Sequence, residues 1–279
     1  MENYRNLDVN LSYTALIKKI GIAYLGGVST SHKTELSEKN GVLTYGVYLA
    51  PWNLSGYQVC AGGKHCHEFC LSGSGQNKMD ILARGEKHSK INISRIKKTR
   101  LFYENRPVFM KLLIHEINRA ANKAAAKGMP FAVRLNCTSD LSPELFVNDG
   151  QNILDIFPNI QFYDYTKVRG RLSLLGKYKN YDLTFSFDGY NMKTAKEFLQ
   201  AGGRVAVVFD GHKLPAYFDG WQVIDGNSYD FRFKDPGRVV VGLSYHPVAN
   251  DYKTVRGVRT YVAPVTPFVI RPEDKRNIF

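Results

Sequence analysis

Short apolar runs rich in β-branched and aromatic residues recur along the chain, and the helical or loop segments between them constrain its fold more than any other feature. The runs are Val42 to Leu49, Phe131 to Leu135, Ile160 to Tyr165, Leu183 to Phe187, Val205 to Phe209, Trp221 to Ile224 and Val239 to Leu243. Ser142 to Phe157 and Met192 to Ala201 lie between some of them, the latter closed by Gly202-Gly203, a residue type suited to helix ends. Strands joined by helical crossovers pair in parallel. The pattern therefore predicts an α/β protein with parallel strands, arranged as a partial or complete (β/α) barrel; a doubly wound open sheet would leave the same alternation. There is no low-complexity linker, so the simplest partition is an N-terminal extension at 1–40 and a single barrel-like domain at 41–279, with a cysteine-rich loop at 51–75.

Pro107 opens a strong helix that Gly128 closes. Val108, Phe109, Leu112, Leu113, Ile117, Ala121 and Ala124 fall on one face and Lys111, Arg119, Lys123 and Lys127 lie mainly off it. This helix belongs to the most basic part of the chain. Residues 78–127 hold 13 Lys or Arg against 4 Asp or Glu, or +9 of the formal net charge of +13. Such an excess favours an anionic partner, and nucleic acid or a nucleotide is the leading candidate. Arg84, Lys87, Arg95, Lys97, Lys98 and Arg100, interleaved with Phe102 and Tyr103, would form the phosphate-binding skirt.

With 44% hydrophobic residues the chain can bury a substantial core. No run approaches the roughly 18 apolar residues that a membrane span needs, and Lys18 and Lys19 interrupt the apolar stretch from Leu16 to Val28. A soluble protein of the cytoplasm, without membrane partners, is the expectation.

In parallel α/β architectures functional groups collect at the carboxyl ends of strands, and these ends are polar here. One leads into Arg134-Leu-Asn136-Cys137-Thr138-Ser139-Asp140, others into Asp164-Tyr-Thr-Lys167, Ser186-Phe-Asp188, Asp210, Asp225 and Ser244. Asp140, Asp164, Lys167 and Asp210 are the candidate catalytic groups. Arg134, Asn136, Ser186 and Asp225 are the candidates for holding a cofactor. Asp, Asn and Ser are also ordinary loop and helix-cap residues, which is the plainer reading of each alone.

Three of the 4 cysteines fall within Cys60-Ala-Gly-Gly-Lys-His65-Cys66-His67-Glu-Phe-Cys70. Thiols so clustered, in a chain with no secretory signal, point to a metal site rather than to disulfides. Zinc would take Cys60, Cys66 and Cys70 plus His65, His67 or His88; an iron-sulfur cluster would take the three thiolates and leave one iron open.

These segments together resemble a phage and plasmid family described as gene-product-88-like. The resemblance rests on Leu49-Ala-Pro, Cys60, Cys66, Cys70-Leu71, Lys98-Thr-Arg100, Glu116-Ile117, Arg134-Leu-Asn136, Thr138-Ser-Asp140, Phe162-Tyr-Asp164-Tyr-Thr-Lys167, Val205 to Phe209, Asp225-Gly226, Asp230-Phe-Arg232 and Val241-Gly-Leu243. It covers about residues 40–245 and implies a phage-like origin. More loosely, a cysteine loop just after the first strand is similar to radical-SAM partial barrels, although the C-x5-C-x3-C spacing departs from their usual C-x3-C-x2-C. That similarity implies an iron-sulfur cluster with S-adenosylmethionine. A third similarity is to the guanine and deazaguanine transglycosylases, zinc barrels in which Asp140, Asp164 or Asp210 would act as nucleophile or proton carrier, though their zinc ligands lie late in the chain.

The leading expectation is thus a phage-type metalloenzyme that modifies nucleic acid or a nucleotide. The alternatives are zinc-stabilised base exchange and a non-catalytic nucleic-acid or host-protein binder with structural zinc.

Overall fold

A computed structural model describes residues 3–63, 65–66, 70, 89–211, 213–245, 252–255, 258–261 and 266–277. The strands in chain order are β1 (Gly26–Val28), β2 (Leu43–Val47), β3 (Phe131–Arg134), β4 (Val147–Asn148), β5 (Gln151–Asn152), β6 (Gln161–Thr166), β7 (Tyr181–Ser186), β8 (Arg204–Phe209), β9 (Tyr217–Phe218), β10 (Trp221–Asp225), β11 (Val240–Ser244), β12 (Tyr252–Val255), β13 (Val258–Tyr261) and β14 (Val269–Ile270). All seven expected strands are among them. A 10-stranded sheet runs β1-β2-β3-β6-β7-β8-β11-β10-β9, with β14 beside β8.

From β2 to β10 every pairing along this path is parallel, as the alternation requires. The antiparallel neighbours lie at the margins: β1 on β2, and β9 on β10. Among the described residues the path is open, with β1 and β9 at its ends. The protein is a mixed α/β structure built on a mostly parallel sheet. Several details lay outside the expectation, among them the short β4-β5 hairpin within Ser142 to Phe157. Residues 26–28 contribute an edge strand, and β11 enters between β8 and β10 instead of following β10 at the edge.

The long basic helix forms over Arg106–Ala126, as its periodicity predicts. Asn105 accepts the Val108 N–H through its side chain, and Pro107 fits the first turn, where no intrahelical N–H bond is lost. Val108, Phe109, Leu112, Leu113 and Ile117 are buried while Arg119, Lys123 and Lys127 are exposed. At the far end Gly128 adopts φ of 62°, a conformation that suits glycine. The preceding helix, Lys90–Glu104, is capped by Ser89, whose hydroxyl accepts from the Asn92 N–H at 3.0 Å.

Period-2 alternation gives the sheet two unlike faces. Val133, Phe162, Leu183, Phe185, Val205 and Val207 point one way, into a core shared with Phe109, Leu113 and Ile117 of the long helix and with Phe198 and Leu199 of the Met192–Gln200 helix. The opposite face carries Ala132 and Tyr163 in a small cluster with Val42 and Phe231. Around that cluster the side chains are polar. The segment 226–236 and the short helix His32–Lys39 cover this face, tied together by Asn40 Nδ2 donating to the Ser228 carbonyl at 3.0 Å.

Candidate functional site at the carboxyl rim

At the carboxyl ends of β2, β3, β6 and β7 the loops lock onto one another. Cys137 N–H donates to the Val47 carbonyl at 3.1 Å, and Thr138 Oγ1 donates to the Leu49 carbonyl at 2.6 Å. The cysteine loop is held to the same place. Asp140 N–H donates to the Val59 carbonyl at 2.7 Å, and Cys60 Sγ lies 3.9 Å from the Thr138 carbonyl. Gly62 rests on the Lys167 backbone so closely that a Cβ there would sit 2.7 Å from the Lys167 carbonyl carbon. The rings of His65 and Tyr190 meet at 4.2 Å, bridging the loop to the one after β7.

Cys60, Cys66 and Cys70 are half-buried and form no disulfide. Cys60 Sγ accepts the Trp52 N–H at 3.4 Å and Cys66 Sγ lies 3.5 Å from the Gly63 carbonyl. Burial pushes the Cys60 thiol up to about 12 and raises that of Cys66, where the charge of Lys167 works in the opposite direction. The donor chemistry fits a soft metal, since coordination would turn half-buried thiols into charge-compensated thiolates. Among the described residues no group of three or more His, Cys, Asp or Glu is gathered closely enough to hold a metal ion. Of the expected fourth ligands, His65 is described and His67 and His88 lie outside the described residues.

The carboxylates are engaged by the protein itself. Asp164 is 1% exposed; it accepts Asn136 N–H at 2.7 Å and Asn136 Nδ2 at 2.9 Å. Burial raises its pKa to about 6, with those hydrogen bonds opposing the rise. Asn136 Oδ1 in turn accepts from Ser139 Oγ and Leu141 N–H, both at 2.8 Å, so this pair fixes the whole turn after β3. Asp140 accepts Arg171 Nη1 at 2.6 Å and the Lys167 N–H at 2.8 Å. Lys167 extends over the rim, where its Nζ donates to Ser186 Oγ at 2.7 Å. Asp210 anchors β14 through its N–H to the Ile270 carbonyl at 2.8 Å. Asp225 is exposed and closes its own turn, accepting Asn227 N–H at 3.0 Å and Ser228 N–H at 3.1 Å.

Arg134 points to the polar face. Its Nη1 donates to Asp230 at 2.5 Å, its guanidinium lies 4.7 Å from the Tyr165 ring centre, and Tyr163 Oη donates to the same Asp230 at 3.1 Å. Burial penalises the Arg134 charge, but Asp230 outweighs it and holds the guanidinium protonated.

The expected basic skirt divides. Arg84 and Lys87 lie outside the described residues. Lys97 donates to the Gly21 carbonyl at 3.3 Å, Arg100 pairs with Glu104 at 2.8 Å, and buried Lys98 sits 4.9 Å from the Tyr24 ring centre. Arg95 behaves differently: its Nε and Nη1 are buried without a hydrogen-bond partner among the described residues.

Sequence reasoning missed Arg171 and Tyr48. No motif marks either, and their importance comes from which strand ends the fold places beside them.

A family model described as gene product 88 matches residues 25–256. The chain belongs to the gene product 88 family. The match takes in the cysteine loop, the rim and the Asp230 segment, so these features fall within the family's span. No curated protein and no solved structure matches the chain significantly. No described helix is long and apolar enough to cross a membrane.

Proposed function

We propose that this gene product 88 protein is a phage-type metalloenzyme that modifies a nucleic acid or nucleotide, with Cys60, Cys66 and Cys70 as metal ligands at the mouth of a partial (β/α) barrel. The observation that carries the reading is the docking of the cysteine loop on the carboxyl rim, through Asp140 on Val59 and Gly62 on Lys167. Sequential parallel neighbours from β2 to β8, with helices packed on one face, give the sheet a concave inner side on this reading, and that side bears Arg134, Tyr165, Ser186 and Lys167.

A three-thiolate iron-sulfur cluster with an open iron would supply electron transfer to S-adenosylmethionine. The chain's own residues do the positioning. Asn136 and Asp164 fix the turn after β3; Arg171 and Asp140 hold the β6 loop against it. Lys167 and Ser186 present a cation and a hydroxyl to the rim, where they would orient an anionic substrate. Zinc-assisted base exchange draws less support, because it needs a carboxylate free to attack and both oxygens of Asp164 are already hydrogen-bonded.

Anaerobic purification with iron, acid-labile sulfide and zinc analysis tests the reading. Iron and sulfide should be present and should fall sharply in Cys60→Ala and Cys66→Ala. Colourless protein loaded with zinc and free of iron would overturn it.

A further inference from the structure

We infer that the guanidinium of Arg95 forms a phosphate-binding subsite on the inner side of the sheet, between the cysteine loop and the Lys33 and Arg134 pair. Two of its N–H-bearing nitrogens, Nε and Nη1, are buried with no hydrogen-bond partner among the described residues. Among the described residues, the neighbours that act on its charge are Tyr48, Cys70 and Cys137, none of them a carboxylate. Buried cations in proteins are ordinarily paired, because an unpaired one costs several kcal/mol of lost hydration.

The surroundings continue the same imbalance. Cys137 lies within electrostatic reach of Arg95, of Arg134 and of Lys33. Lys33 and Arg134 share the one carboxylate of Asp230, at 3.7 and 2.5 Å. Arg134 Nε is a further buried donor without a partner among the described residues. Asp164, the other acid near Cys137, is committed to Asn136. The Tyr48 ring lies 5.7 Å from the Arg95 guanidinium and its hydroxyl donates to Ser31 Oγ at 2.6 Å, giving the guanidinium a flat wall. Gly46 lets Cys137 and Tyr48 pack directly against β2, since a Cβ there would meet the Cys137 sulfur at 2.8 Å and the Tyr48 ring at 3.1 Å. A planar fork with unused N–H groups, backed by two more cations, is the arrangement that recognises a phosphate oxyanion.

The inference rests on the reading of this face as the substrate side, and it names the chemistry that the substrate must carry. Calorimetric titration of the full chain with a 5′-mononucleotide, its nucleoside, inorganic phosphate and a short single-stranded oligonucleotide tests it. The phosphate-bearing probes should bind at least about tenfold more tightly than the nucleoside, and Arg95→Met should erase that difference while leaving the melting temperature unchanged or higher. Preference for the mononucleotide assigns a free phosphate and preference for the oligonucleotide a backbone phosphate; either carries the inference. Equal binding of nucleoside and nucleotides, or a phosphate advantage that survives Arg95→Met, overturns it. So does a lower melting temperature in Arg95→Met with phosphate binding intact, which would mark a structural arginine. Repeating the titration on the Cys60→Ala chain separates the two readings, since phosphate binding there is expected to persist whatever metal the wild-type chain contains.

Discussion

The two faces of the sheet are built from alternating residues of the same strands, yet they obey different rules. Phe185 packs its ring on Phe198 at 4.6 Å within the helix-covered core, while its neighbour Ser186 accepts from Lys167 on the other side. Glu116 is the exception that shows what the first face demands. It is buried there, and it accepts from Tyr13, Tyr45, Leu25 N–H and Gly26 N–H at 2.7 to 2.9 Å, so every lone pair that matters is used. The opposite face tolerates what the core does not, leaving Thr44 Oγ1, Thr184 Oγ1, Arg95 and Arg134 with buried polar atoms that lack a partner among the described residues. Among the described residues, polar groups are thus satisfied more thoroughly on the helix-covered side of the sheet than on the other.

The comparison can be broken most readily at adjacent positions. Phe185→Ala should cost about 4 kcal/mol in chemical denaturation, whereas Ser186→Ala should cost less than about 1 kcal/mol. Equal losses would mean that both faces are packed core.

Asp230→Asn comes next, because it removes the charge that Arg134 and Lys33 share; a loss of about 3 kcal/mol is expected in the same experiment. Replacing Arg134 by Met in that background should recover part of it.

For Asp164 the effect depends on pH. Its native pKa of about 6 lies above that of an unfolded aspartate, so the folded state binds the extra proton between about pH 4 and 6. Its contribution is therefore most favourable below pH 4 and declines as pH rises through 6, by at most about 3 kcal/mol. Denaturation midpoints across pH 4 to 7 should fall less steeply in Asp164→Asn than in the wild-type chain.

Lys98 sharpens the contrast from the alkaline side. Burial lowers its pKa to about 8, with Glu116 opposing, so the unfolded chain holds more protons between about pH 8 and 10.5 and stability should rise over that interval. Lys98→Met should flatten the rise, an effect of roughly 2 kcal/mol by pH 10.

Much of the scaffold was legible because it depends on local periodicity. Val205 to Phe209 could hardly be anything but a buried strand, and the face of the Arg106–Ala126 helix could be read from the spacing of its apolar residues. The insertion of β11 between β8 and β10 was not legible, since nothing local in Trp221 to Ile224 or Val239 to Leu243 encodes which neighbour each strand takes. The candidate site follows the same division. The cysteine loop and the polar strand ends stand out as composition. The grip of Arg171 on Asp140 and the isolation of Arg95 arise from contacts between residues distant in sequence, and three of the basic residues that looked like a phosphate skirt turn inward to a carbonyl, a carboxylate and a ring.

Gly62 lies flat against the main chain of Lys167, and that contact ties two distant stretches of sequence into one inherited unit. Any larger residue at position 62 would prise the sulfur-bearing loop off the turn that follows β6. A relative that had abandoned its thiols would be released from this requirement, and side chains should then begin to accumulate at that one position before they do anywhere else along the rim.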